Sequence, residues 1–88
     1  MGSLSKLRIT ILAGEADTNI DFSDLRRFLT RLGFSERIRG SHHIFTREDV
    51  AEILNLQPKG PKAKPYQVRQ VRNVLVKYQL GGNDADPV

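Results

Sequence analysis

The chain contains no cysteine, no tryptophan and only two histidines among its 88 residues, and its apolar runs are as short as Ile11-Leu12-Ala13 and Val74-Leu75-Val76. Each shortage closes a class of function. Without cysteine there is neither a disulfide framework nor a thiolate zinc site. Without anything near the ~20 consecutive apolar residues that cross a bilayer, no membrane span is expected. The first residues lack the basic, apolar and small-residue succession of a signal peptide, and Lys6 stands where an acylation motif needs Ser or Thr, so neither export nor anchoring is expected. Two adjacent histidines with no nearby carboxylate pattern make a poor metal site. These absences lead to the expectation of a cytoplasmic protein that uses no metal and no small-molecule cofactor.

A chain of this length buries only about 60–65% of its unfolded surface, enough for one core and too little for two. Within it, acid is missing from one stretch. Residues 58–80 carry Lys59, Lys62, Lys64, Arg69, Arg72 and Lys77 with no Asp or Glu, whereas the whole chain is +4 and the remainder is therefore −2. A block of one sign attracts a polyanion, and nucleic acid is the commonest one in a cytoplasm; a solvated helix face would read the same way.

Leu4, Leu7, Ile11 and Leu12 fall at helical spacing before Gly14, although Leu7, Ile9 and Ile11 also alternate as a strand would. The helical reading, followed by a polar linker at residues 15–19, makes residues 1–19 an N-terminal extension. Residues 20–80 then form the main domain. Asp21 is placed to cap a helix, Ile20 to staple onto Leu25, and Phe22, Leu25, Leu29 and Leu32 to form its apolar stripe up to Gly33. Residues 34–39 and 42–46 read as a hairpin around Gly40-Ser41, residues 53–57 as a third strand, and residues 59–64 as a basic loop. Pro65 suits the first turn of a last helix, with Val68, Val71, Val74, Leu75 and Tyr78 on one side and Arg69, Arg72 and Lys77 on the other. Residues 81–88 read as a disordered tail. The order helix, three strands, helix predicts an α+β fold: a three-stranded antiparallel sheet with two helices on one face and the other face open.

The turn Gly40-Ser41 leads into His42-His43-Ile44-Phe45, the only place in the chain with groups whose unperturbed pKa lies near neutrality. Alternation puts His42 and Ile44 on one face and His43 and Phe45 on the other. Because Phe45 is a core residue by type, His43 is expected towards the helices and His42 towards the open face. Ser41 in the turn and Arg39 beside it are candidates for holding a phosphate. Lys59, Lys62, Lys64, Arg69 and Arg72 are candidates for the rest of a nucleic-acid backbone, since phosphate contacts need charge more than geometry.

With Leu32-Gly33-Phe34 closing the first helix, Gly40-Ser41-His42 at the hairpin turn and a basic last helix, the chain from about Ile20 to Leu80 resembles the HicA-type toxins of bacterial HicA/HicB toxin–antitoxin pairs, whose fold is similar to a double-stranded-RNA-binding domain. The resemblance implies metal-independent cleavage of mRNA, with His42 as the catalytic residue, and a HicB-type antitoxin as partner. It implies no role for His43. The alternative is a non-catalytic RNA-binding module of the same fold. A DNA-recognition role for the last helix is disfavoured by the adjacent strands and by the lack of a short helix-turn-helix spacing.

Overall fold

The order of elements follows from where the apolar residues recur and where the chain must turn. The computed structural model describes residues 2–80, with side chains from residue 5 onward, so the tail expected at residues 81–88 lies outside the described residues. Along the chain come α1 (Gly2–Ala13), one 3₁₀ turn (Asp17–Asn19), α2 (Phe22–Arg31), β1 (Ser35–Arg39), β2 (His42–Arg47), β3 (Val50–Leu56), β4 (Pro58–Lys59), β5 (Lys62–Ala63) and α3 (Pro65–Tyr78). Strands β1, β2 and β3 form an antiparallel sheet in that order, and β4 and β5 form a separate small hairpin. The fold is the expected α+β arrangement, with α2 and α3 over one face of the sheet.

Phe22, Leu25, Phe28 and Leu29 of α2 and Val68, Val71, Val74 and Leu75 of α3 share one core with Phe45, Leu54 and Leu56 of the sheet. Gly33, at φ 97°, ends α2: its N–H reaches the Thr30 carbonyl and the Phe34 N–H reaches the Leu29 carbonyl, which satisfies two of the helix's last acceptors. The two-residue turn between β1 and β2 places positive φ on Gly40 alone, at 60°, the type II′ pattern whose twist matches the strands it joins.

Several elements differ in detail from expectation. The N-terminal segment is the helix its spacing predicts, and it docks on the domain: Ile11 is fully buried in the common core, and Leu7 and Leu12 pack against it. Ile9, which a strand would have placed beside Leu7 and Ile11, is 63% exposed. The expected linker at residues 15–19 contains the 3₁₀ turn, whose Asp17 receives two hydrogen bonds from Arg72, at 2.9 and 3.0 Å. Arg72 also donates to the Ile11 carbonyl in the last turn of α1, over 3.0 Å.

Asp21 stands at the start of α2 but its side chain caps nothing there; it pairs with Lys62 instead. The basic loop expected at residues 59–64 is the β4–β5 hairpin, held to the start of α2 by Phe22 N–H to the Pro61 carbonyl and Ala63 N–H to the Ile20 carbonyl. The third strand begins at Val50, three residues earlier than its apolar pattern suggested, because the sheet register shifts between Phe45 and Arg47 and lets Val50 turn inward. Glu52 in this early segment takes Lys77 and the Tyr78 hydroxyl from the far end of α3, and those hydrogen bonds bring its carboxyl down to about 2.

Candidate functional site

Cross-strand register defines the open face of the sheet. Arg39 lies opposite His42, and Ile44 lies between Arg37 on one side and Asn55 on the other. Since side chains alternate, these residues share the face turned away from Phe45, Leu54 and Leu56. His42 is exposed, and its Nδ1 stands 3.0 Å from Asn55 Oδ1. With Nδ1–H donating to that amide oxygen, Nε2 carries the lone pair and is left towards solvent. An exposed imidazole held at one ring nitrogen therefore sits on the open face.

The neighbouring turn is tied down by β3 and α3. Gln57 Nε2 donates to Ser41 Oγ at 2.8 Å, and Lys64 Nζ donates to Gln57 Oε1 at 3.2 Å. Below them Gln67, only 5% exposed, accepts from Gln57 N–H at 2.9 Å and donates to the Asn55 carbonyl at 3.2 Å. A buried amide that satisfies main-chain groups on both sides of Leu56 fixes the end of β3. Its consequence is a rigid mount for Asn55 and Gln57, and through them for His42 and Ser41.

His43 points the other way. Its Nδ1 lies 2.8 Å from Glu36 Oε2, its ring meets Phe22 edge-on at 4.9 Å, and its side chain is 13% exposed. Arg26 donates to the same carboxylate through Nε and Nη2. Arg26 holds the Glu36 carboxyl below the usual carboxylate range, against the opposing effect of burial, and His43 assists. This is a structural cluster under the sheet, away from the face that carries His42.

The basic block is less available than its sequence suggests. Lys62 is engaged by Asp21 and Asn19, Arg72 by Asp17, and Lys77 by Glu52. The Arg72 side chain is 19% exposed, and its pairing draws the Asp17 carboxyl down in pKa. Arg72 is thus brought to the 3₁₀ turn and not to the histidine. Among the described residues Lys59, Lys64, Arg39 and Arg37 form no ion pair, and Arg69 forms none either, although its charge helps to lower the Asp17 carboxyl. Cations outside ion pairs therefore include the exposed Arg37 and Arg39 on the open face itself, and the exposed Lys59 and Arg69 and half-buried Lys64 on the segment that follows β3.

Asn55, Gln57 and Gln67 were missed as site residues. Asn55 and Gln57 did carry a signal, polar side chains alternating with Leu54 and Leu56, but pairing them with His42 and Ser41 required the register that the irregularity in β2 sets. Gln67 carried none, being one more polar residue in a helix. Among the described residues no three His, Asp or Glu side chains converge in a way that could hold a metal ion, and no helix is long and apolar enough to cross a membrane.

Compared with known proteins, the chain matches no curated protein and no solved structure. Residues 22–78 match the family model described as HicA toxin of bacterial toxin-antitoxin, a span that runs from the first residue of α2 to the last of α3. The match takes in the whole sheet, the histidine turn and both covering helices, and the chain belongs to the HicA toxin family of bacterial toxin–antitoxin systems.

Proposed function

We propose that the chain is a metal-independent endoribonuclease that cleaves mRNA through His42 and is neutralised by a HicB-type antitoxin. The observation that carries this reading is the exposed His42 on the open sheet face, its Nδ1 engaged by Asn55, opposite Arg39. In such a reaction Nε2 takes the proton of a ribose 2′-OH, the 2′-oxygen attacks phosphorus, the bond to the 5′-oxygen breaks, and the imidazolium returns the proton to the departing oxygen. Arg39 and Lys64 supply positive charge for the phosphorane, and Ser41 Oγ is a further donor beside it. One imidazole contributes about 10²–10⁴ in rate, which makes a slow nuclease suited to arresting growth. The test is incubation of labelled RNA with the protein in EDTA. Shortened products support the reading; a shifted band of unchanged length supports the non-catalytic RNA-binding module instead.

Asn55 acts through His42 and not on the RNA. Asn55→Leu is expected to lower the cleavage rate about tenfold, the value of one hydrogen bond of about 1–1.5 kcal/mol. Asn55→Asp, which keeps an acceptor for Nδ1–H, should retain most of the rate, and melting curves of both variants should overlay that of the parent. A Leu variant as fast as the parent removes Asn55 from the mechanism.

Arg69 and Arg72 are expected to separate. The logarithmic dependence of RNA affinity on salt should lose about 0.7 in slope for each phosphate contact removed from a single strand. Arg69→Ala is expected to show that loss. Arg72→Ala should leave the slope alone and lower thermal stability, because Arg72 is already committed to Asp17. A slope change in the Arg72 variant would show that the pair opens to RNA.

A further inference from the structure

Six aromatic residues are available to this chain, four Phe and two Tyr. Phe22, Phe28, Phe34 and Phe45 are buried, and Tyr78 is partly buried with its hydroxyl donated to Glu52 at 2.6 Å. Tyr66 stands apart, 49% exposed on the first turn of α3. An aromatic ring left half in water on a protein with so few of them forgoes burial that its neighbours obtain.

The ring is nevertheless held in place. Its hydroxyl accepts from Gln67 Nε2 at 3.4 Å, and the same nitrogen donates to the Asn55 carbonyl at 3.2 Å. Tyr66 is thus anchored at its polar end to the buried amide that also fixes the strand position carrying Asn55, whose side chain holds His42. Its hydroxyl lies no farther than two hydrogen-bond lengths from that carbonyl. Lys64, two residues before it, places its ammonium on Gln57 beside the histidine turn. An aromatic ring, an ammonium and an imidazole are therefore tied by hydrogen bonds to one end of the sheet, where β2 begins and β3 ends.

From this arrangement we propose that Tyr66 is the stacking platform for an unpaired nucleobase of the strand that passes His42, so that the substrate is single-stranded where it is cut. The proposal rests on the ribonuclease reading and names its substrate class. Bases inside a duplex are covered on both faces by their neighbours and cannot reach a protein ring, whereas a splayed base stacks on an aromatic with little regard to sequence. Held at its hydroxyl, the residue keeps about half of its surface, 49%, open to such a contact.

The test uses a single-stranded 2′-O-methyl RNA oligonucleotide, which cannot be cleaved through a 2′-oxygen, and a duplex of the same sequence. Tyr66→Leu is expected to weaken single-strand binding about 5- to 150-fold, and Tyr66→Phe, which keeps the ring, about twofold or less. Duplex binding should be unchanged in both. Because the chain lacks tryptophan, Tyr66 is the sole strong emitter in the Tyr78→Phe protein, and its fluorescence should be quenched as the oligonucleotide binds. A folded Tyr66→Leu variant with parental affinity, or a Tyr66 emission that the oligonucleotide leaves unchanged, overturns the proposal; the fluorescence result decides alone if the Leu variant fails to fold. Cleavage of ordinary RNA by the parent is measured alongside. Intact cleavage with an unquenched ring sinks the Tyr66 platform only, and a quenched ring on uncut RNA sinks the nuclease reading while the platform stands.

Discussion

His42→Ala is expected to reduce RNA cleavage by about 10²–10⁴ and to release expressing cells from growth arrest, with a melting temperature within a few degrees of the parent. The small structural cost follows from the position of the ring. His42 is exposed, and the variant loses one exposed hydrogen bond to Asn55, whose amide is then free to bond water. His43→Ala provides the opposite outcome. Removing that ring takes a partner from Glu36, whose side chain is only 18% exposed, and an edge contact from Phe22, so stability falls while cleavage per folded molecule persists. The adjacent histidines thus separate chemistry from folding in one experiment. Should His42→Ala unfold the protein, or should His43→Ala abolish cleavage at full stability, the assignment of the base to the open face fails.

What made His42 legible was local. A glycine that accepts positive φ, a two-residue turn and strict alternation beyond it are short-range properties, and together they point one ring towards solvent and its neighbour towards Phe45. The α2 stripe and the apolar side of α3 were legible for the same reason. The start of β3 was not, because Glu48, Asp49 and Glu52 resemble a charged loop until the Lys77 and Tyr78 side chains arrive from the end of α3. The fate of the basic block was equally hidden. Asp17, Asp21 and Glu52 lie outside residues 58–80 and stand 55, 41 and 25 residues from Arg72, Lys62 and Lys77, against which only the fold brings them. Charge counted along a chain therefore overstates the charge available to a polyanion, by the pairs that tertiary structure makes. Lys64 shows a related effect: it remains without an acid, but Gln57 directs it towards the turn.

Ile11→Ala is expected to lower stability by about 2–5 kcal/mol, equivalent to roughly 10–30 °C in melting temperature for a domain of this size. The expectation comes from the complete burial of Ile11 in a core that α2, α3 and the sheet already share, where a cavity cannot be filled by water or closed by small movements. A chain of this length has only about 4–13 kcal/mol of total stability to lose. The family match begins at residue 22, after α1, yet α1 supplies a core side chain, and Arg72 inside the match ties both the Ile11 carbonyl and Asp17 to α3. Residues before the matched span therefore pack into the same core, and the Ile11 variant tests whether they support it. Ile9→Ala, on the 63% exposed side of the same helix, is the control and should leave the melting temperature unchanged to within a degree or two. In the cold, where the Ile11 variant remains folded, its cleavage rate should equal that of the parent, since the lost side chain lies in the core and His42, the proposed base, on the open face of the sheet. A melting temperature unaffected by Ile11→Ala would show that α1 rests on the domain without supporting it.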